Sequence, residues 1–503
     1  MSNTKSLLLA GILITSTASA AFAQSYIDAL RYSYLSPSGT ARAMGIGDAV
    51  GSIGGDFSSL SINPAGIAVY KSSEVMFTPS LKINSVSGDY LGNSTSTSST
   101  HFNFNNAGIV FTSAPKGRRA RRSQWKSFSF GIGVNRLADF NRDYTYSGNN
   151  YSSSATQAYA ADNNINGTGS DPNNPNPALY GYAGYQAYLT NYDSVNGVFE
   201  SIVDPSKGVK QLRSVSERGG INEMVISFGG NYMDQLLLGA TIGIPIINYS
   251  RSSVYSETAI GADSTGFNSY TYNETLNTSG SGINLKLGII YKASDYFRFG
   301  FAIHSPTFYT MHDDYSNVIS SDISTVPAGV NPYTANAVSI PLDYNLTTPW
   351  RAVLSATGFL GTHGFITVDY EYVDYSSASY SFDPAYQVMQ TQVNNDIKTN
   401  LQAASNIRVG IEGRITNFFS LRAGYSFMGS PYKTSSGINT ASNTISGGFG
   451  FRFDRWYLDA AFAHTMYNGV EQPYPSDPSY AAVPIATLGN SFNNASMTVG
   501  FKF

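Results

Sequence analysis

The sequence predicts an all-β chain, a 14-stranded antiparallel transmembrane β-barrel with an N-terminal plug, or hatch, in its lumen. Three observations predict it. Segments of roughly ten residues alternate apolar and polar side chains, the connections between them are short and long by turns, and the last segment ends on an aromatic residue.

The alternation starts at Ser73. From there to Asn84, Val75, Phe77, Leu81 and Ile83 share one face, and Glu74, Thr78, Ser80, Lys82 and Asn84 share the other. One face suits hydrocarbon and the other water. Phe102 to Thr112 and Phe128 to Arg136 give a second and a third segment, the last setting Phe128, Phe130, Ile132 and Val134 against Ser129, Gly131, Gly133 and Asn135. Six more run Glu223 to Tyr232, Leu236 to Asn248, Gly282 to Lys292, Phe297 to Phe308, Leu346 to Leu360 and Phe365 to Ser376. Five follow at Asn406 to Ile415, Phe418 to Phe427, Thr444 to Phe453, Trp456 to Met466 and Asn494 to Phe503, which makes fourteen in all.

Short connections include Met233-Asp234-Gln235, Thr416-Asn417 and Asp454-Arg455. Between them lie polar stretches at 87–100, 140–221 (the longest), 249–281, 309–343, 380–403, 429–442 and 467–493. Short periplasmic turns and long extracellular loops are the pattern of an outer-membrane barrel. Ala114 to Gln124 carries Lys116, Arg118, Arg119, Arg121 and Arg122. Strand parity places this basic run in the periplasm, so it reads as a turn near anionic headgroups, with nucleic acid not expected as a partner.

Composition agrees. Charged residues are 13% of the 503 and aromatic residues 14%, with 36 Tyr and 29 Phe, whereas a soluble domain carries about 25% charge. A net charge of -3 supplies no field towards a polyanion, and the lack of cysteine removes disulfides and thiolate metal sites.

Residues 1–23 read as a bacterial signal peptide: Lys5, an apolar run from Leu7 to Ile14, and Ala21-Phe22-Ala23 before Gln24. The apolar run is too short to span a bilayer. The barrel is assigned 73–503, and fourteen strands enclose a lumen, since about eight already fill with side chains. Residues 24–72 are the expected plug. Within them Arg42 to Tyr70 is glycine-rich and centres on Asn63-Pro64-Ala65-Gly66, where proline fixes φ and its neighbours suit a tight turn.

On the last segment Met497, Val499, Phe501 and Phe503 face one way and Ser496, Thr498, Gly500 and Lys502 the other. Val499, Phe501 and Phe503 resemble the C-terminal signal that outer-membrane proteins present to the barrel assembly machinery.

Residues 42–70 also resemble the plug region of the FadL-type outer-membrane transporters of long-chain fatty acids and other hydrophobic compounds. SGSGINLKLGIIYKASDYFRFGFAIHSPT (Ser279 to Thr307) and LRAGYSFMGSP (Leu421 to Pro431) point the same way. The resemblance implies a monomeric barrel in the bacterial outer membrane, in contact with its lipid. It implies passive uptake of a hydrophobic small molecule, long-chain fatty acids first, captured at the extracellular loops and released through the plugged barrel or its wall. Alternatives are a haemin-binding or general porin-type channel, or a surface-binding, adhesive barrel. The substrate-binding residues are not assigned.

No enzyme is expected and no cofactor. His304 and His312 with Asp313 and Asp314 lack metal-ligand spacing, so no metal site is assigned. Asp369 and Glu371 share a face and read as lumen polarity rather than an acid–base pair. Gly45-Ile46-Gly47 has no βαβ unit around it.

Overall fold

The computed structural model describes residues 25–36, 39–115, 123–166, 180–261, 265–326, 332–334 and 338–503. The expected signal peptide and the basic residues 116–122 lie outside the described residues.

Fourteen strands form the wall. They are β1 (Glu74–Tyr90), β2 (Asn93–Ser113), β3 (Trp125–Asp139, continuing as Arg142–Asn150), β4 (Val209–Tyr232), β5 (Leu236–Ala259) and β6 (Phe267–Lys292). Next come β7 (Phe297–His304, continuing as Phe308–Ile323), β8 (Val338–Thr347, continuing as Arg351–Phe359), β9 (Gly364–Asp374) and β10 (Ala403–Arg414). β11 (Phe419–Met428), β12 (Ser442–Arg452), β13 (Trp456–Glu471) and β14 (Ala486–Lys502) complete the set. Each pairs antiparallel with the next, and β14 returns to β1 from Glu74↔Lys502 to Asp89↔Thr487, so the wall closes on itself.

Several stretches expected as loops are strand. β1 and β2 run on to a two-residue turn at Leu91-Gly92 across 87–100, and β5, β6, β7, β13 and β14 extend into 249–281, 309–343 and 467–493. The reason is chemical. Beyond the hydrocarbon both faces of a strand meet polar surroundings, so sequences such as Asn93 to His101 pair without any apolar alternation to announce them. The 140–221 stretch holds the end of β3, helices α3 (Ala155–Asn166) and α4 (Tyr180–Gln186), a small hairpin and the start of β4; 380–403 holds α5 (Gln387–Asn400).

The outer face follows the predicted phase. Val75, Phe77, Leu81 and Ile83 are exposed, while Thr78, Ser80 and Asn84 are buried inside. At the short-turn end exposed Tyr291, Tyr296, Phe297, Phe418, Phe453, Trp456 and Phe503 form an aromatic girdle of the kind that marks a bilayer interface.

Inward, charges come in compensated groups. Arg422 sits between Glu412 and Asp459 at 2.7 Å from each, and Arg351 and Arg408 hold Glu371 at 3.2 and 3.3 Å. Lys286 pairs with Glu223, both almost wholly buried. Such pairs are stable only while intact, because a lone buried charge is costly. Replacing Lys286 by Met is therefore expected to lower unfolding stability by about 3–5 kcal/mol, and adding Glu223→Leu to recover much of the loss. Urea unfolding in lipid vesicles measures both; equal loss in the two variants would refute it.

Candidate functional site

The lumen is occupied by the N-terminal segment. Helix α1 (Tyr26–Ser33) is capped by Ser25, whose hydroxyl accepts from Ile27 N while Asp28 reaches back to Ser25 N. It lies towards the long-loop end, packed on α5 and against Tyr249, Tyr375 and Tyr380. Helix α2 (Ala41–Gly45) and two 3-10 turns, Phe57–Ser61 and Pro64–Val69, fill the short-turn half.

A backbone held inside a wall needs partners for its polar groups. Here the wall supplies them strand by strand. Ala41 N donates to Thr498 Oγ1 at 2.7 Å, Gly47 N to Ser446 Oγ at 3.2 Å and Gly51 N to Asp369 Oδ2 at 2.8 Å. Arg298 donates to Ile53 O at 2.9 Å and His304 Nε2 to Ile62 O at 2.8 Å. Arg42 bonds Glu412 at 2.9 Å, Ser61 donates to Glu223 at 2.9 Å, and Asn135 donates to Ser61 at 2.8 Å.

Asn63 is completely buried. Its Oδ1 accepts from Ala65 N at 3.1 Å and caps the turn that Pro64 begins; its Nδ2 donates to Gly51 O at 2.6 Å and Ile289 O at 3.3 Å. One side chain thus ties the turn to its own loop and to β6. Gly66 O accepts from Gly55 N at 2.9 Å, and Gly54 and Gly55 take φ near +64° and +65°.

Sequence reasoning did not find the other half of this joint. Gly229, Gly239 and Gly288 stand side by side across β4, β5 and β6. A Cβ on Gly239 would lie 2.2 Å from Pro64 O, and one on Gly288 2.0 Å from Asn63 Oδ1. The turn therefore rests directly on bare wall backbone. Strand register, which no single segment reveals, would have been the signal.

Asp369 and Glu371 both face inward, but Asp369 receives the plug and Glu371 the two arginines. His304 and His312 are not brought together: His304 is buried against the plug, whereas His312 is half-exposed and bonded to Asp343 at 2.6 Å. Met497, Val499, Phe501 and Phe503 lie on the outer face, with Thr498 wholly buried between them.

A cavity of about 380 Å³ remains beside the plug. Ile27, Leu30, Tyr34, Met44, Met428 and Phe492 give it apolar surface, and Asp48, Lys82, Arg142 and Arg408 charge. Its lining includes Asn103 and Asn105 of β2, the strand at a break in the wall. β2 pairs with β1 along its length but with β3 only from Asn106↔Asn135 to Ser113↔Phe128. Beyond Asn135, β3 leaves β2 while staying paired to β4, and from Arg142 it folds across the inner face of the β1–β2 hairpin, where Tyr146 packs on Tyr90 with ring centroids 5.1 Å apart. A second pocket of about 440 Å³ opens there between Phe102, Phe104, Val134 and Arg136, and Asn103 lines both spaces.

Residues 227–495 match the model of a family described as outer membrane protein transport protein (OMPP1/FadL/TodX). The chain belongs to that family. Its members are transport channels for hydrophobic compounds, and the protein is accordingly a bacterial outer-membrane barrel. A FadL homologue of Pseudomonas aeruginosa aligns with a TM-score of 0.56 at 12% identity, over 94% of this chain and 100% of that one. The monoaromatic hydrocarbon channel CymD aligns with a TM-score of 0.50 at 11% identity, over 92% and 97%. These likenesses are of fold. No curated protein sequence matches the chain.

Asp48 sits on the cavity floor in a left-handed turn (φ 61°), with one carboxylate oxygen lacking a hydrogen-bond partner. Burial pushes its carboxyl up to about 7, against the pull of Arg408. A carboxyl whose folded pKa is raised favours the folded form most below its ordinary value, about 3.9, and loses that advantage as pH climbs through 7. The plug is thus expected to be held more firmly near about pH 5 than near about pH 8, and Asp48→Asn to flatten the difference. Hydrogen exchange of the Gly47–Val50 amides reads it; pH-independent protection in the parent would refute it.

Proposed function

We propose that the protein takes hydrophobic compounds passively across the outer membrane, with long-chain fatty acids the first substrate class. Substrate is captured at the long-loop end, which faces outside, occupies the lumen cavity beside the plug, and leaves through the wall between β2 and β3. The observation that carries this reading is that Asn103 lines both the lumen cavity and the pocket at the wall break. A general porin for polar solutes has no use for a lumen filled by a hydrogen-bonded insert. Monoaromatic hydrocarbons, the compounds named for CymD, are the second substrate class. Residues 24–72 act as the plug with Asn63, Pro64, Ala65 and Gly66 at its joint, and the barrel works as a monomer in lipid.

Removing residues 25–70 is expected to leave a barrel that assembles, since its strands are intact, but conducts small ions freely. Alanine at Asn63 and Pro64 is expected to alter fatty-acid uptake with little change in yield. Single-channel conductance and uptake in a host lacking its own transporter check this. A deletion no leakier than the parent would remove the plug role; a parent that takes up no hydrophobic compound would remove the channel role.

Val499, Phe501 and Phe503 present the assembly signal. Phe503→Asp is expected to lower the amount of heat-modifiable barrel far more than Lys502→Asp, and equal amounts would refute it.

A further inference from the structure

The break between β2 and β3 is lined in a way that bare hydrocarbon does not call for. The β1–β2 register shifts between Thr78 and Pro79, so that Asn105 is the extra residue of a bulge and both Asn105 and Asn106 turn inward, 1% and 2% exposed. Asn106 is also the last residue of β2 paired to β3, through Asn135. Ser80 donates to Asn105 Oδ1 at 2.7 Å, and Asn105 Nδ2 has no protein partner. Asn106 has none for either amide atom, and Asn135, whose Nδ2 serves Ser61, has none for Oδ1. On the pocket's outer side, Arg136 bonds Asp139 and Gly219 O through Nη2 and has no partner at Nε.

A buried amide left unmet is costly, so three such side chains at neighbouring positions in a wall need a partner. Asn106 and Arg136 line the pocket with the apolar Phe102, Phe104 and Val134, Asn105 beside them on β2 lines the lumen cavity, and Asn135 stands opposite Asn106, so unmet donors (Asn105 Nδ2, Asn106 Nδ2, Arg136 Nε) and acceptors (Asn106 Oδ1, Asn135 Oδ1) occupy neighbouring positions at the break. That mixture suits a small head with both kinds of group on an apolar tail. We infer that Asn105, Asn106 and Asn135 form a subsite for the carboxyl or hydroxyl head of an amphiphile leaving through the wall, so that the protein selects head-bearing chains over bare hydrocarbons. The inference rests on the channel reading above and narrows its substrate class. Bare hydrocarbon passing the same point would leave the amides unmet, and a site built to hydrogen-bond discriminates strongly against the analogue that cannot.

The test uses three molecules with eighteen-carbon chains: oleate, oleyl alcohol and 1-octadecene. Binding to the purified full-length barrel and passage into vesicles containing it are both measured. The parent is expected to prefer oleate and oleyl alcohol by at least about tenfold. Asn106→Leu and, separately, Asn105→Leu are expected to bring the ratio towards one, and Asn106→Gln to restore it, with heat-modifiable migration confirming that each variant has assembled. A parent that binds all three alike, or an Asn106→Leu barrel that keeps the preference, would overturn the subsite. A parent that binds with the expected preference yet passes none of the three would support the subsite and overturn the channel reading, so the two failures are separable.

Discussion

A peptide segment enclosed by a wall must hydrogen-bond to that wall, and most of the interior here follows from this requirement. The segment from Ala41 to Tyr70 is short and has no large core of its own. Its amides and carbonyls are met by Thr498, Ser446, Asp369, Arg298 and His304, five side chains from four different strands. Groups that face inward to receive it then have to be balanced among themselves, which explains why carboxylates and guanidinium groups alternate around the lumen. Where the turn at Asn63 comes nearest, the wall has no side chains at all, only Gly239 and Gly288. Close packing of backbone on backbone permits no lubricating layer. The insert is joined to the barrel at that point rather than resting in it.

The same accounting applies to the break between β2 and β3. In hydrocarbon an unpaired strand edge is very costly, so a barrel gives up ladder bonds only where something else meets the groups it frees. Asn135 lies about ten residues along β3 from Trp125, near the length a tilted strand needs to cross the apolar layer. The opening thus comes where the wall passes from hydrocarbon to polar surroundings. β3 then bends inward and packs Tyr144 and Tyr146 onto Val86 and Tyr90, so the β1–β2 hairpin keeps support on its inner face after losing a lateral neighbour.

Which parts of this were legible in the sequence depended on where hydrophobicity carries information. Inside the bilayer every strand has one lipid face, so all fourteen could be counted from alternation, down to the phase of Val75 or Phe501. Outside it the strands are polar on both faces, and the outer reaches of β1, β2, β5 and β6 passed for loops. Asn63 and Pro64 stood out because a turn has local chemistry. Gly239 and Gly288 did not, because a strand glycine acquires meaning only from what lies across the sheet from it. Asn105-Asn106 left a faint trace, two polar residues in succession where Phe102 and Phe104 had set a strict alternation, but a slip of one residue needs the partner strand to be recognised as a bulge.

The length of the strands has a consequence for the journey of a solute. β5 contains 24 residues. At about 3.3 Å per residue and a tilt of about 40°, it rises about 60 Å, against an apolar band about 25 Å tall. On the side of the wall built by β4, β5 and β6 more than half of the height therefore stands clear of the hydrocarbon as a chimney, roofed at its far end by α3, α4 and a cluster of tyrosines. A membrane surface is a crowded hydrophilic layer through which a water-insoluble molecule diffuses poorly. On the proposed lateral route, a chimney with its vent at the waterline would let such a molecule pass that layer under cover and meet the bilayer from the side, already at the depth where its tail is soluble.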